Sequence, residues 1–192
     1  MTDNSEQLKR ILRERIAIID GAMGTTIRTY GLTETDVRGE RFKDAKEDLK
    51  PNGDIYSLTR PDVICDIHRR FLEAGADIIE TNTFSATSIS QSEFFVEDPR
   101  KKGTGRKDPA FYQTVIEDKF LSDLAWEINK QSARQCREWA DRIANKTGRP
   151  RFVAGSIGPL TVSLSNSPDA DDAAFRVITF DQVKTDYKRQ VR

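Results

Sequence analysis

Apolar residues fall along this chain in short blocks set between long polar stretches, and two periods alternate. Ile16, Ala17, Ile18 and Ile19 form a continuous block that stops at Asp20-Gly21. That is the pattern of a short buried strand with a turn at its exit. The next stretch, roughly Arg28 to Ser57, is polar with little periodicity and predicts an elaborate loop with a short helix. Val63, Ile64, Ile67, Phe71 and Leu72 then recur at helical spacing. Thr59 is placed to cap this helix, Pro61 suits its first turn, and Gly75 suits its left-handed end. Ile78-Ile79 follow as a second short strand, leaving through Glu80-Thr81-Asn82.

The unit repeats. Phe120, Leu121, Leu124, Ile128, Cys136, Trp139 and Ile143 make a long helical stripe ended by Gly148 and Pro150. Phe152, Val153 and Ala154 read as a third strand with Gly155-Ser156 at its exit. A last helix begins where Thr179 and Gln182 have capping-box spacing, with Val183, Tyr187 and Val191 as its apolar face. Strand and helix alternating in this way predict a parallel α/β sheet.

Strands beginning near residues 16, 77 and 151 lie further apart than the about 31 residues of a (β/α)8 unit. Part of the excess is "VEDPRKKGTGRKDPAF", residues 96–111, which is charged and rich in Gly and Pro and reads as an exposed insertion, bounded at 96–118. Residues 1–15 read as a helical extension. The chain stops at "YKRQVR" inside an amphipathic helix, and three parallel strands alone would leave unpaired edges. The expectation is the N-terminal part of a (β/α)8 TIM barrel, truncated after about three βα units, with residues 1–192 forming one partial domain.

Charge narrows the function classes. Lys and Arg total 31 and Asp and Glu total 31, so no net field favours nucleic acid or a membrane surface as partner. No apolar run reaches the about 18 residues of a membrane span. The two cysteines, Cys65 and Cys136, make no disulfide framework, which points to a reducing cytosol.

Functional groups in such barrels gather where strands end, and the polar exits are Asp20-Gly21, Glu80-Thr81-Asn82 and Gly155-Ser156. Asp20 and Glu80 are the leading candidates, because a carboxylate at the end of a buried strand is costly unless paired or used. The plainer alternative is that Asp20 starts a turn and Glu80 pairs with a cation of a neighbouring strand. Gly21-Ala22-Met23-Gly24 has neither the G-x-G-x-x-G spacing nor the Lys-Ser/Thr of a Walker loop. What it offers is backbone N–H groups for a small anion such as a carboxylate. With Asp20 beside it to receive an ammonium, the pair suits the zwitterionic end of an amino acid. Cys65 and His68 share a helix face but lack the further ligands a zinc site needs. They read as a buried thiol and a lone surface or packing histidine, and Cys136 reads as core.

"IAIIDGAMGTTI", "GDIYSLTRPDVICDIHRRFLEAGADIIETNTFSATSI", "RFVAGSIGP" and "SPDADDAAFRVITFDQV" resemble, in order, the homocysteine-binding domain of cobalamin-dependent methionine synthases. The "DGAMGT" turn and "AGADIIETNTF" are shared with other homocysteine methyltransferases, whereas "RGERF" and "ITFDQV" favour the cobalamin-dependent branch. The resemblance implies a (β/α)8 barrel holding homocysteine beside a zinc ion, which favours the thiolate that attacks a methyl group. The methyl group arrives on methylcobalamin, and folate- and cobalamin-binding domains are the implied partners. By position, Asp20 with Gly21, Ala22 and Met23 faces the amino acid's polar end, and Glu80, Thr81, Asn82 and Ser156 line the same mouth. The family's zinc-ligating cysteines lie in the second half of its barrel, and neither Cys65 nor Cys136 matches them, so this chain alone is expected to lack the metal and to be inactive. "SIGPLT" also departs from the family's usual Gly-Pro-Thr-Asn form. Two other readings remain open: a cobalamin-independent enzyme using betaine or an S-methyl donor, and a non-catalytic truncated product.

Overall fold

The computed structural model describes residues 4–103 and 105–191. In chain order the helices before the first ladder are α1 (Ser5–Glu14), α2 (Met23–Arg28), α3 (Glu34–Arg38), α4 (Tyr56–Thr59) and α5 (Pro61–Ala74), with a 3-10 turn at Gly53–Ile55. Then follow β1 (Ile78–Glu80), α6 (Ser88–Phe95), α7 (Pro99–Lys102), α8 (Pro109–Glu117), α9 (Lys119–Thr147), β2 (Phe152–Ala154) and α10 (Phe180–Gln190).

β1 sits between two parallel neighbours. It pairs with β2 in the register Ile78–Phe152, Ile79–Val153 and Glu80–Ala154, and Ile19 bridges to Ile78 on its other side. Ile79 is fully buried under Leu72, Cys136, Ala140 and Ile143, so α5 and α9 cover one face of the sheet. Gly75 takes the left-handed φ of 113° that ends α5 immediately before β1, and Gly148 ends α9 at φ 67° before β2. This is the strand–helix–strand alternation of a partial parallel barrel.

Several expectations are corrected. The block Ile16–Ile19 is not a buried strand. Only Ile19 forms a bridge, and Ile16, Ile18 and Ile19 are 81%, 52% and 51% exposed, because they occupy the sheet's edge with a neighbour on one side alone among the described residues. Thr59 does not cap α5. It closes α4, its hydroxyl donating to the Ile55 carbonyl, and Arg60 takes the cap position without a side-chain bond. The polar stretch from 28 to 57 is more structured than a loop: Val37, Phe42, Leu49, Ile55 and Tyr56 from it are buried against Ile64 and Ile67 of α5.

The stretch read as an exposed insertion folds back at its end. α8 buries Tyr112, Val115 and Ile116 against Ile89, Leu121 and Ile178. Asp108 makes this possible by accepting the Phe111 N–H at 2.9 Å, a side-chain cap followed by Pro109 at the first helical position. Three of the basic residues before it are paired locally, Arg100 with Asp98, Lys101 with Glu47 and Lys107 with Glu93. On α10 the capping box between Thr179 and Gln182 forms as predicted. Its buried residues, however, are Gln182 and Asp186, while Val191 is exposed. Phe120, assigned to the α9 stripe, is half exposed and stacks edge-on against Phe95.

Candidate functional site

The exits of all three parallel segments converge on one cavity of about 610 Å³, within the size range of small-molecule sites. Asp20, Gly21, Ala22, Met23, Glu80, Thr81, Asn82 and Ser156 all line it. The eight residues singled out at the strand exits are therefore brought together.

Asp20 is held by the main chain of β1. Its own N–H donates to the Ile78 carbonyl at 2.9 Å, and its two carboxylate oxygens share the Glu80 N–H at 3.1 Å. Burial pushes the Asp20 carboxyl up to about 6, aided by the Glu80 charge and opposed by the N–H of Glu80. Glu80 itself is exposed at the rim. Gly21 lies against the Phe71 ring, which a Cβ there would meet at 3.2 Å, so the bare backbone lets the turn sit close on α5. Met23 then starts α2 with Ala22 at its cap position and no side-chain cap, so Gly24 lies inside a helix rather than in a free turn.

Threonine hydroxyls stitch the second and third exits together. Thr81 Oγ1 accepts the Ser156 N–H at 3.0 Å, and Thr83 Oγ1 donates to the Ser156 carbonyl at 2.8 Å. Asn82 works inward instead: its amide donates to the Gly53 carbonyl at 2.9 Å and to Ser57 Oγ at 3.0 Å. Ser132 of α9 joins the same network through Ser57 Oγ and the Asn82 carbonyl. Buried polar groups satisfied in this way rigidify the floor of a site.

The structure adds residues that the sequence pattern did not single out. Asp54, 4% exposed, lines the cavity and accepts the Ser85 N–H at 2.8 Å. Burial pushes its carboxyl up to about 7, against the pull of the Ser85 and Phe84 N–H groups. Thr83, Phe84 and Ser85 also line the cavity. The available signal for Asp54 was an acid directly preceding Ile55-Tyr56, an apolar pair that ends a polar stretch.

The family's zinc does not fit these residues. The Cys136 thiol is fully buried, 3.2 Å from His68 Nε2 and 3.3 Å from the Glu80 carbonyl, and burial pushes its pKa far up, away from the thiolate a metal needs. His68 is a packing histidine held neutral by burial, with its pKa lowered to about 4 and Nδ1 unpaired. Cys65 is half-buried, with its thiol raised by desolvation. Among the described residues no three His, Cys, Asp or Glu are grouped to hold a metal ion, and no helix is long and apolar enough to cross a membrane.

Parallel strands joined by covering helices, with a polar cavity at the carboxyl ends of the strands, define part of a TIM-barrel-like fold. The model of the homocysteine S-methyltransferase family matches residues 17–192, and the chain belongs to that methyltransferase family. The fold is similar to that of the homocysteine methyltransferase MmuM from Escherichia coli. Its metallated form matches at 17% identity and a TM-score of 0.50, over 79% of this chain and 41% of that one. Its oxidized form matches at 17% identity and a TM-score of 0.52, over 95% and 53%. The chain thus spans about half the length of these structures.

Proposed function

We propose that this chain binds L-homocysteine as the amino-acid-binding part of a cobalamin-dependent methionine synthase, in which the methyl group of methylcobalamin is transferred to the homocysteine sulfur and methionine is released. The observation that carries the reading is the convergence of Asp20, the Gly21–Met23 turn, Glu80, Thr81, Asn82 and Ser156 on one cavity. Asp20 receives the ammonium. The uncapped N–H groups at the start of α2 suit the carboxylate. Thr81 and Thr83 keep the β1 and β2 exits at fixed separation. "RGERF" and "ITFDQV" support the cobalamin branch, with folate- and cobalamin-binding partners, and two cysteines without a disulfide framework suit a cytosolic setting. No step is assigned to zinc, whose ligands the described residues do not provide.

Isothermal titration of the 192-residue chain with L-homocysteine under reducing conditions tests the substrate. Saturable 1:1 binding that L-homoserine does not match is expected, and no binding at millimolar ligand would overturn the reading. The donor is tested in the full-length gene product, by comparing methyl transfer from methylcobalamin with transfer from betaine and from an S-methyl donor. Preference for either of the latter would reject the cobalamin branch.

A further inference from the structure

Three loops wall the cavity, and a single peptide unit joins them. Phe84, just past β1, gives its carbonyl to the Gly158 N–H at 2.9 Å, beyond β2. The approach is so close that a Cβ on Gly158 would stand 2.5 Å from that carbonyl oxygen. Tyr187 of α10 secures the other side of Gly158 by donating to its carbonyl at 2.7 Å. On the opposite side, the N–H groups of Phe84 and Ser85 face the carboxylate of Asp54, in the turn before α4. Gln91 Nε2 adds a bond to the Ser85 carbonyl at 3.2 Å and pairs with Asn52. The 84–85 turn is thus clasped from both flanks.

We propose that Asp54 is a positioning residue for the amino-acid site, its carboxylate fixing the Phe84–Ser85 turn as a wall of the cavity. The proposal rests on the homocysteine reading for the choice of ligand, not for the clasp. A neutral amide could supply one acceptor to these N–H groups, but an ionised carboxylate makes shorter and stronger bonds to them. Burying it is costly, and its carboxyl lies near neutrality. The ionisable groups sharing the cavity are Asp20, Glu80 and Glu93, the last paired with Lys107 at 2.8 Å. None supplies a cation to Asp54, so its ionised form depends on the Phe84 and Ser85 N–H groups.

The test uses the 192-residue chain, Asp54→Asn and Asp54→Ala, with amide NMR and homocysteine titration from about pH 5.5 to about pH 8.5. In the wild type the Phe84 and Ser85 amide signals should titrate with a midpoint of about pH 7, and in Asp54→Asn this step should vanish. Homocysteine affinity at about pH 8 should fall about tenfold in Asp54→Asn, the scale of one charge-assisted hydrogen bond, with a smaller loss at about pH 6. A merely structural role would lower affinity equally at both pH values. Unchanged affinity and an unchanged pH profile in Asp54→Asn, with the Phe84 and Ser85 amide signals unmoved by the substitution, would overturn the proposal. If the wild type binds no homocysteine, the substrate reading fails, and the amide titration still decides on the clasp. Should Asp54→Ala not fold, the Asp54→Asn titration alone decides between the outcomes.

Discussion

Both carboxylate oxygens of Asp20 lie 3.1 Å from the backbone nitrogen of Glu80, so the acid at one strand exit is anchored on the main chain of the next. A carboxylate held this way is pre-aimed, and its half-buried setting keeps it protonated to higher pH than a free aspartate. An ammonium binds the ionised form, so homocysteine affinity should rise as pH increases through about 6. Asp20→Asn should weaken binding about tenfold at about pH 7.5 and remove that step, the effect of losing one charged partner. Titration calorimetry across pH checks this, with circular dichroism confirming an unchanged fold.

Asp77 anchors the other end of the sheet. Its carboxylate accepts from Arg15 Nη1 and Nη2 at 2.6 Å each and from the Ile18 N–H at 2.9 Å. The Arg15 guanidinium first, then the Ile18 N–H, hold the Asp77 carboxyl below its ordinary range despite burial. Stability from this group is therefore present above the unfolded pKa of about 3.9 and is lost as pH falls through the lower folded value. Asp77→Ala should destabilise by about 1–3 kcal/mol, because Ile18 N–H loses its acceptor while Arg15 stays half exposed to water. Thermal unfolding at neutral pH measures it, and the gap from wild type should narrow on acidification.

The linkage at Asp54 has the opposite sign. Its folded carboxyl is raised to about 7, so between the unfolded value and about 7 the folded state holds a proton that the unfolded state has released. Wild-type stability from this group falls with rising pH at about 1.4 kcal/mol per unit over that window. Asp54→Asn does not titrate. Its stability relative to wild type should therefore climb from about pH 4 to about pH 7 and level off above, as read by denaturant melts in a pH series.

Gly158→Ala should cost about 1–3 kcal/mol. The new methyl would collide with the Phe84 carbonyl oxygen at 2.5 Å, and that atom belongs to backbone clasped on both flanks, so it cannot swing aside. A lowered midpoint in thermal melts, together with weaker homocysteine binding, is the expected result. An equally stable variant would show that the two exit loops separate freely.

Much of the skeleton was legible because local rules dominate it. Pro61 at the start of α5, the left-handed Gly75 and Gly148, and the Thr179–Gln182 box all act within a turn or two of chain. The exits were legible for the same reason, since an apolar run ending in a polar group marks a strand mouth. The burial of α8 was not, because a charged Gly/Pro stretch precedes it and its Tyr112 finds partners in α6 and before α10. The polar buried face of α10 was equally hidden. Gln182 reaches Pro109 and Gln113 of α8, and Asp186 accepts the Ser88 and Ile89 N–H groups that begin α6. Periodicity counts apolar residues and has no signal for a carboxylate that caps another helix.

The sequence by itself determined the alternation of strands and helices, the family and the cluster of exit residues, since periodicity, caps and motif order are all written along the chain. Only the tertiary structure decided which of those residues face a ligand and which hold the floor. Asn82 turns inward to Gly53 and Ser57, Asp54 enters the site from a segment about 30 residues upstream of the Ser85 it grips, and Ile16–Ile19 lies exposed at the edge. The physical reason is the same in each case. Burial and hydrogen-bond partners are set by what the rest of the chain brings alongside, and distance along the sequence does not record it.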